Sequence, residues 1–235
     1  MVVMPRRLPS FDDPAPILAR RLVQLFVGLF LYGIAISMIV RGALGVSPWD
    51  VLTQGLSMHT GLSFGVITVL TSGVVLLLWI PLRQRPGFGT IMNALLVGPA
   101  ADVGLALIPE GLDLWARILL LPGGIVLLAV ATGLYLGASF GPGPRDGLMT
   151  GLHRVTGWRI WIVRTGIEVI VLAMGWLLGG DVGLGTVLFA VAIGPLCGWT
   201  IPLFAIRRAG QRQADAVAAA EAGQPATAAP ARTAD

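Results

Sequence analysis

Charged and amide side chains lie inside otherwise apolar stretches of this sequence. Asn93 and Asp102 fall in one such stretch, and Arg164 and Glu168 fall in another. An ionisable side chain is costly to bury in a membrane, so each is a candidate for a solute, ion or proton pathway. Alternatively, Asp102 lies close enough to the end of its stretch to be solvated. Arg164 and Glu168, four residues apart, can pair on one helix face, either as a coupling pair or as a structural salt bridge.

Two further carboxylates end a short motif that occurs twice, as S-P-W-D ending at Asp50 and as G-P-R-D ending at Asp146. A cap residue such as Ser47, then proline, then an acid three residues after the cap is typical of a helix start. Gly61 and Gly157 supply the stops. The motif therefore predicts two helices of about twelve residues, about 18 Å long. Each is too short to span a bilayer and must be re-entrant or interfacial.

The acids of these short helices have two interpretations. Either Asp50 and Asp146 only cap a helix and complement its dipole, or the two helices line a polar cavity where the halves of the chain meet. The second interpretation predicts a substrate pathway lined by polar residues of the short helices and of the neighbouring spans. These residues are Asp50, Gln54, Asn93, Asp102, Asp146, Thr150 and His153.

Two Gly-Pro pairs fall near the middle of apolar stretches, at Gly98-Pro99 and at Gly194-Pro195. Proline removes a helical hydrogen bond and clashes with the preceding turn, which predicts a kink or break in each span. Such interruptions at corresponding positions of two halves point to a transporter's binding site. An ordinary packing kink is the alternative, since glycine and proline are common in membrane helices.

The elements that carry these residues are membrane spans. The chain is 55% hydrophobic and 12% charged, against about 25% charged for a soluble domain, so it is an integral membrane protein. Runs of about twenty apolar residues, the length that crosses a bilayer, predict six spans. They cover residues 22–41, 63–82, 88–109, 117–138, 160–179 and 184–205.

The sequence also contains an internal repeat. Glycine, proline, aspartate and threonine positions after Gly45 recur 96 residues later, after Gly141, and the G-F-G-T segment at Gly87 recurs as G-L-G-T at Gly183. Each copy, 22–110 and 111–208, holds three spans, so the second must enter the membrane from the opposite side. We therefore expect an all-α fold of two inverted three-helix repeats, each with one short helix, as in many secondary transporters.

Arginine placement predicts the orientation. With both termini in the cytoplasm, the inner loops and ends hold nearly all arginines, and the outer loops hold only Arg41 and Arg117. Residues 1–21 are then a cytoplasmic N-terminal segment. Residues 209–235, rich in alanine and polar, read as a disordered cytoplasmic tail.

Several function classes are disfavoured. His59, His153 and Cys197 have no neighbours at metal-ligand spacing, no G-x-S-x-G nucleophile motif is present, and arginines do not cluster as in nucleic-acid-binding proteins. The sequence therefore predicts no enzyme, no cofactor, no metal and no nucleic-acid partner. Its partners are the lipid bilayer and an unknown small solute, and a homodimer would help six short spans enclose a pathway.

The segments "GVSPWDVLTQGLS" and "GFGTIMN" resemble the YczE-like integral membrane proteins, a group that includes YitT and YyaS. The resemblance covers most of residues 22–205 and implies a bacterial multi-pass inner-membrane protein. It implies no activity and no catalytic residues. The hypothesis from the residues is a small-solute permease or exporter of the inner membrane, and the alternative is a non-transporting scaffold or regulatory protein.

Overall fold

The computed structural model describes residues 14–206, and this part of the chain folds into eight α-helices without a β-strand. Their helical core forms one compact unit that ends at Ala205. The predicted C-terminal tail and most of the predicted N-terminal segment lie outside the described residues. The helices are α1 (Ala15–Gly42), α2 (Pro48–Thr60), α3 (Phe64–Trp79), α4 (Phe88–Leu107), α5 (Leu114–Gly137), α6 (Pro144–Thr156), α7 (Ile160–Leu177) and α8 (Leu184–Phe204).

Five of these helices are long and apolar enough to cross a membrane, namely α1, α4, α5, α7 and α8. The predicted span at 63–82 is helix α3, which has only 16 residues. It follows α2 after a bend of 115°, and the bent pair counts as a sixth span if it is taken as one broken crossing. The described chain is thus an all-helical membrane protein with five to six candidate spans.

The two short helices start and stop as their sequences predict. Ser47 is the N-cap of α2 and Pro48 is its first residue, while Gly61 ends the helix with a φ of 71°. Gly157 ends α6 in the same way with a φ of 70°. A left-handed backbone is costly for a residue with a Cβ, which explains glycine at both stops.

Helix α1 lies at the centre of the bundle, where it packs on α4 and α5, and α5 packs in turn on α8. The short helices pack across the two copies, α2 on α7 and α6 on α3. Small residues permit these close approaches. A Cβ at Gly175 of α7 would lie 2.4 Å from the backbone nitrogen of Leu52, and one at Gly147 of α6 would overlap the ring of Trp79.

One pair of backbone hydrogen bonds between the copies is reciprocal. The backbone N–H of Gly89 donates to Phe140 at 2.9 Å, and the N–H of Gly185, 96 residues after Gly89, donates at 2.7 Å to Leu44, 96 residues before Phe140. The two loops that precede the short helices are therefore each held by the N-terminus of a span from the other copy.

The same reciprocity holds for two arginines. Arg21 Nε donates to the carbonyl of Ala138 at 2.9 Å, and Arg117 Nε donates to the carbonyl of Gly42, also at 2.9 Å. Both donors and both acceptors are 96 residues apart in the chain. Each arginine thus binds the last turn of the long first helix of the other copy, where cations complement the helix dipole.

Of the kink or break predicted at each Gly-Pro pair, a break is not present in either helix. Pro99 lies inside α4 and Pro195 inside α8, and both helices continue through them. Proline leaves only the carbonyl of the preceding turn without its bond, and a helix of 20 residues packed against neighbours tolerates that loss.

Candidate functional site

A cavity of about 180 Å³ lies where the beginnings of α2 and α6 meet, enclosed by α1, α3, α4, α5, α7 and α8. Its apolar lining includes Ile36, Val97 and Leu128. Its polar lining comes from both copies and consists of Tyr32, Ser47, Asp50, Thr68, Ser72, Asn93, Thr132, Tyr135, Arg145, Asp146, Arg164 and Glu168.

Asp50 is buried at this cavity, with 3% of its side chain exposed. One carboxylate oxygen, Oδ2, accepts a hydrogen bond of 2.5 Å from the Ser47 hydroxyl. The other oxygen, Oδ1, has no hydrogen-bond partner among the described residues. One of its two oxygens is therefore buried at the cavity wall without a hydrogen bond.

The cation nearest to Asp50 comes from the other copy. Arg145 Nη1 lies 3.8 Å from Asp50 Oδ1, and the guanidinium stands 5.0 Å above the ring of Trp49. At an effective dielectric constant of 20, charges at this distance attract by about 4 kcal/mol. Desolvation costs several kcal/mol for each ion, so the pair alone does not offset its own burial.

Asp146 and Asn93 lie beside the start of α6. Asp146 Oδ2 accepts a hydrogen bond of 2.9 Å from the Tyr135 hydroxyl. The rings of Tyr135 and Tyr32 meet edge to face, with centroids 5.9 Å apart. These contacts join α1, α5 and α6 at one wall of the cavity.

Arg164 and Glu168 form the predicted pair on α7, with Arg164 Nε 2.9 Å from Glu168 Oε1. Both residues line the cavity, and their side chains are 50% and 28% exposed. The pair thus stands at the open margin of the site.

The other residues predicted for the pathway do not line this cavity. Asp102 accepts hydrogen bonds from the Ser63 hydroxyl at 2.6 Å and from the Gly65 N–H at 2.7 Å, which caps the start of α3. Gln54 Oε1 accepts from the backbone of Asp181. Thr150 donates to a carbonyl within α6, and the exposed His153 contacts the Trp158 carbonyl.

Sequence reasoning missed the two tyrosines and understated Arg145. Tyr32 and Tyr135 are the only tyrosines in the chain, and both lie in apolar spans, which is a usable signal. Arg145 stands where the first copy has Trp49. Its pairing with Asp50 has no local signal, because the two residues belong to different copies.

The lining residues do not form a metal centre. Among the described residues, no group of three or more His, Cys, Asp or Glu side chains could hold a metal ion. The arrangement offers instead two guanidiniums, three carboxylates and several hydroxyl groups around a small cavity.

Helix α8 and helix α7 form the incomplete side of this enclosure. Both line the cavity, yet α8 packs mainly on α5 while α7 packs on α2 and α6. Within the most apolar 18-residue stretch of each helix, only 6% of α8 is buried, against 44% of α5. Helices α7 and α8 therefore border the cavity without packing closely on each other, and we call the gap between them the cleft.

An all-helical bundle with five to six candidate spans and a charged internal cavity defines a polytopic membrane protein. Residues 19–202 match a family of unknown function, DUF6198, and the chain belongs to that family. No solved structure matches the chain.

Three curated bacterial proteins are similar to the chain. An uncharacterized protein of Haemophilus influenzae is 39% identical over 170 residues, which cover 72% of this chain and 78% of that protein. The uncharacterized membrane protein YczE of Bacillus subtilis is 32% identical over 179 residues, covering 75% and 83%. YyaS of Bacillus subtilis, also uncharacterized, is 28% identical over 166 residues, covering 69% and 83%. The resemblance to YczE-like proteins is thereby confirmed.

Proposed function

We propose that this protein is a permease or exporter of a small solute in the bacterial inner membrane, and not an enzyme. The solute site is the cavity between the starts of α2 and α6. The two halves are inverted repeats with both termini in the cytoplasm, and they alternate access around this site, as in other transporters built from inverted repeats.

The observation that carries the proposal is the meeting of Asp50 and Arg145 at one cavity. These residues begin the two short helices, one in each copy, and their charged atoms lie 3.8 Å apart. In transporters of inverted repeats, the N-termini of short helices point at the substrate from opposite sides. The unpartnered Oδ1 of Asp50 is available to a hydrogen-bond donor of the solute.

The reciprocal bonds between the copies support the inverted arrangement. Gly89 with Phe140 and Gly185 with Leu44 exchange roles, as a two-fold axis in the membrane plane would require. The arginine distribution supports cytoplasmic termini, because Arg41 and Arg117 lie near one end of the spans and the remaining described arginines lie towards the other.

Transport is tested with purified protein in proteoliposomes and a panel of amino acids, sugars, nucleosides, organic cations and zwitterionic amphiphiles. We expect uptake or efflux of one class by the wild type and at least a tenfold lower initial rate with Asp50→Asn. Asp113→Asn, an exposed position at the start of α5, is the matched control and should keep the wild-type rate. Wild-type liposomes that move no compound faster than empty ones would contradict transport.

A non-transporting scaffold or regulatory protein is the second candidate. It is favoured by Asp102, Gln54 and His153, whose polar groups bind the chain itself. This alternative expects Asp50→Asn to leave every phenotype of a deletion strain complemented. Failure of Asp50→Asn to complement, with normal membrane levels of the variant, would exclude it.

A further inference from the structure

The cleft lies between α7 and α8, whose equivalents in the first copy, α3 and α4, pack closely together. In that copy, Gly65 of α3 and Gly98 of α4 approach so closely that a Cβ on Gly65 would lie 2.4 Å from the Gly98 carbonyl oxygen. The equivalent of Gly98 is Gly194 on α8, and a Cβ there would meet no atom within 4 Å. The same open space surrounds Gly198, the equivalent of Asp102.

Side-chain size keeps this cleft open. The residue equivalent to Gly65 is Trp161, and the close approach of α3 to α4 leaves no room even for a Cβ at the Gly65 position. The carboxylate of Asp102, which binds the start of α3, is replaced by a glycine hydrogen atom at Gly198. Helix α7 therefore lacks the small residue, and α8 the carboxylate, through which α3 and α4 approach each other in the first copy.

The cleft opens towards lipid. Both flanking helices are membrane spans, and their outer surfaces expose large apolar side chains such as Ile170, Val187 and Val191. Trp158, just before α7, and Trp161, one turn before Arg164, are exposed, and tryptophan is enriched where a bilayer meets water. A molecule that enters here comes from the bilayer with its apolar part in the cleft.

The polar end of the cavity has unused donors and an unused acceptor. Among the described residues, Arg145 contacts the Asp50 carboxylate and the Trp49 ring but makes no hydrogen bond. Arg164 donates only through Nε, and Asp50 Oδ1 accepts nothing. Guanidinium forks match phosphate oxygens, whereas a free carboxylate oxygen matches an ammonium group.

Charges of both signs exclude ligands of a single sign. An anion without a donor would face Asp50, Asp146 and Glu168, and a cation without an acceptor would face Arg145 and Arg164. The volume of about 180 Å³ is small beside the 300 Å³ or more of a drug-sized site. It has room for a headgroup but not for an acyl chain.

We infer that the cavity takes the zwitterionic headgroup of a lipid-like amphiphile, of phosphoethanolamine type, which enters from the bilayer between α7 and α8. The phosphate lies against Arg145 and Arg164, the ammonium lies against Asp50 Oδ1, and the chain remains in the cleft. This inference rests on the proposed transport function and names the substrate class of the same site.

The test measures binding of radiolabelled lysophosphatidylethanolamine to the full chain in nanodiscs of phosphatidylglycerol. We expect saturable binding, with lysophosphatidylglycerol and free phosphoethanolamine competing at least tenfold more weakly. Arg145→Gln should weaken binding at least tenfold. Gly194→Trp, which fills the cleft from a position in open space, should slow association at least tenfold.

The matched control is Gly166→Trp. Gly166 also has open space around its Cβ, but it lies two residues from Arg164 and from Glu168 and so faces away from the cleft. It should bind as the wild type does. Circular dichroism and size-exclusion profiles of all variants must match the wild type before binding is compared.

Four outcomes would overturn the inference. Equal competition by free phosphoethanolamine would mean that the headgroup enters from water and not from the bilayer. Unchanged binding by Arg145→Gln would mean that the probe binds only as annular lipid around the protein. A cross-link between two copies through Gly198→Cys, in dimers that bind no probe, would assign the cleft to a second copy. Solute transport without probe binding would sink this inference alone, whereas probe binding without movement of any compound would sink the transport function.

Discussion

Among the acidic residues, Asp50 and Asp102 show how one residue type takes two roles. Both oxygens of Asp102 accept hydrogen bonds from the start of α3, so the carboxylate already has partners within the protein. Asp50 is more buried, yet one of its oxygens has no partner and its cation lies beyond hydrogen-bond distance at 3.8 Å. The unsatisfied group is the one to test for function.

The coupling between Asp50 and Arg145 can be measured with a double-mutant cycle. Arg145→Gln leaves a buried carboxylate without its cation, which we expect to cost about 3 kcal/mol of stability. Asp50→Asn on the same background should recover at least half of that loss, since no charge then stays buried alone. Thermal unfolding of the four proteins in detergent gives the cycle, and additive effects would contradict the pairing.

Asp102→Ala should lower stability without affecting the cavity. The change removes two hydrogen bonds to a carboxylate, each contributing about 1.5–3 kcal/mol. The unfolding midpoint should therefore fall well below that of Asp113→Ala, whose side chain makes no capping bond. Loss of solute or lipid binding at full stability would instead give Asp102 a role in the pathway.

At the scale of elements, the packing of each short helix depends on the size of the residue that faces it. Helix α6 fits Gly147 under the ring of Trp79, whereas α2 lays Val51 and Leu52 on Gly175 of α7. The large and small partners are thus exchanged between the copies. Both solutions let a short helix pack on a span of the other copy and direct its N-terminus towards the cavity.

Two glycines of α7 should respond to alanine in opposite directions. A Cβ at Gly175 would lie 2.4–2.6 Å from backbone atoms of Val51 and Leu52, which cannot yield without moving α2. Gly175→Ala should therefore lower the unfolding midpoint. Gly166→Ala meets open space and should raise stability by about 1 kcal/mol through helix propensity. A neutral Gly175→Ala would mean that α2 is loosely seated.

At the scale of the molecule, the two copies have the same order of helices, but only the first packs its last two helices closely together. The loop contacts and the arginine contacts are reciprocal, while the approach of α3 to α4 has no counterpart between α7 and α8. The exposed apolar surface of α8 follows from that difference. Differences at a few equivalent positions therefore accompany the looser packing of α7 and α8.

The inverted arrangement predicts opposite accessibility for two loops. With Cys197→Ala as the background, Arg85→Cys lies in the exposed loop between α3 and α4, and Gly111→Cys lies in the one between α4 and α5. A membrane-impermeant maleimide should label Gly111→Cys in intact spheroplasts and label Arg85→Cys only after permeabilisation. Labelling of both from one side would contradict the proposed orientation.

The sequence alone determined the apolar spans, the ends of α2 and α6 and the 96-residue repeat, because these depend on hydropathy and on capping within a few neighbouring residues. It did not determine that the segment predicted as a span at 63–82 is a helix of 16 residues, or that α2 and α3 meet at a bend of 115°. Helix continuity at Pro99 also depended on context, because neighbouring helices support the turn that proline weakens.

Only the tertiary structure decided which polar residues meet. Asp50 and Arg145 come together because the short helices of the two copies point at one cavity, and Asp102 is drawn away by the start of α3. The cleft beside α8 depends on Trp161 standing where Gly65 stands in the first copy. Such outcomes arise from side-chain volume and hydrogen-bond partners distant in the chain, which periodicity and local motifs do not encode.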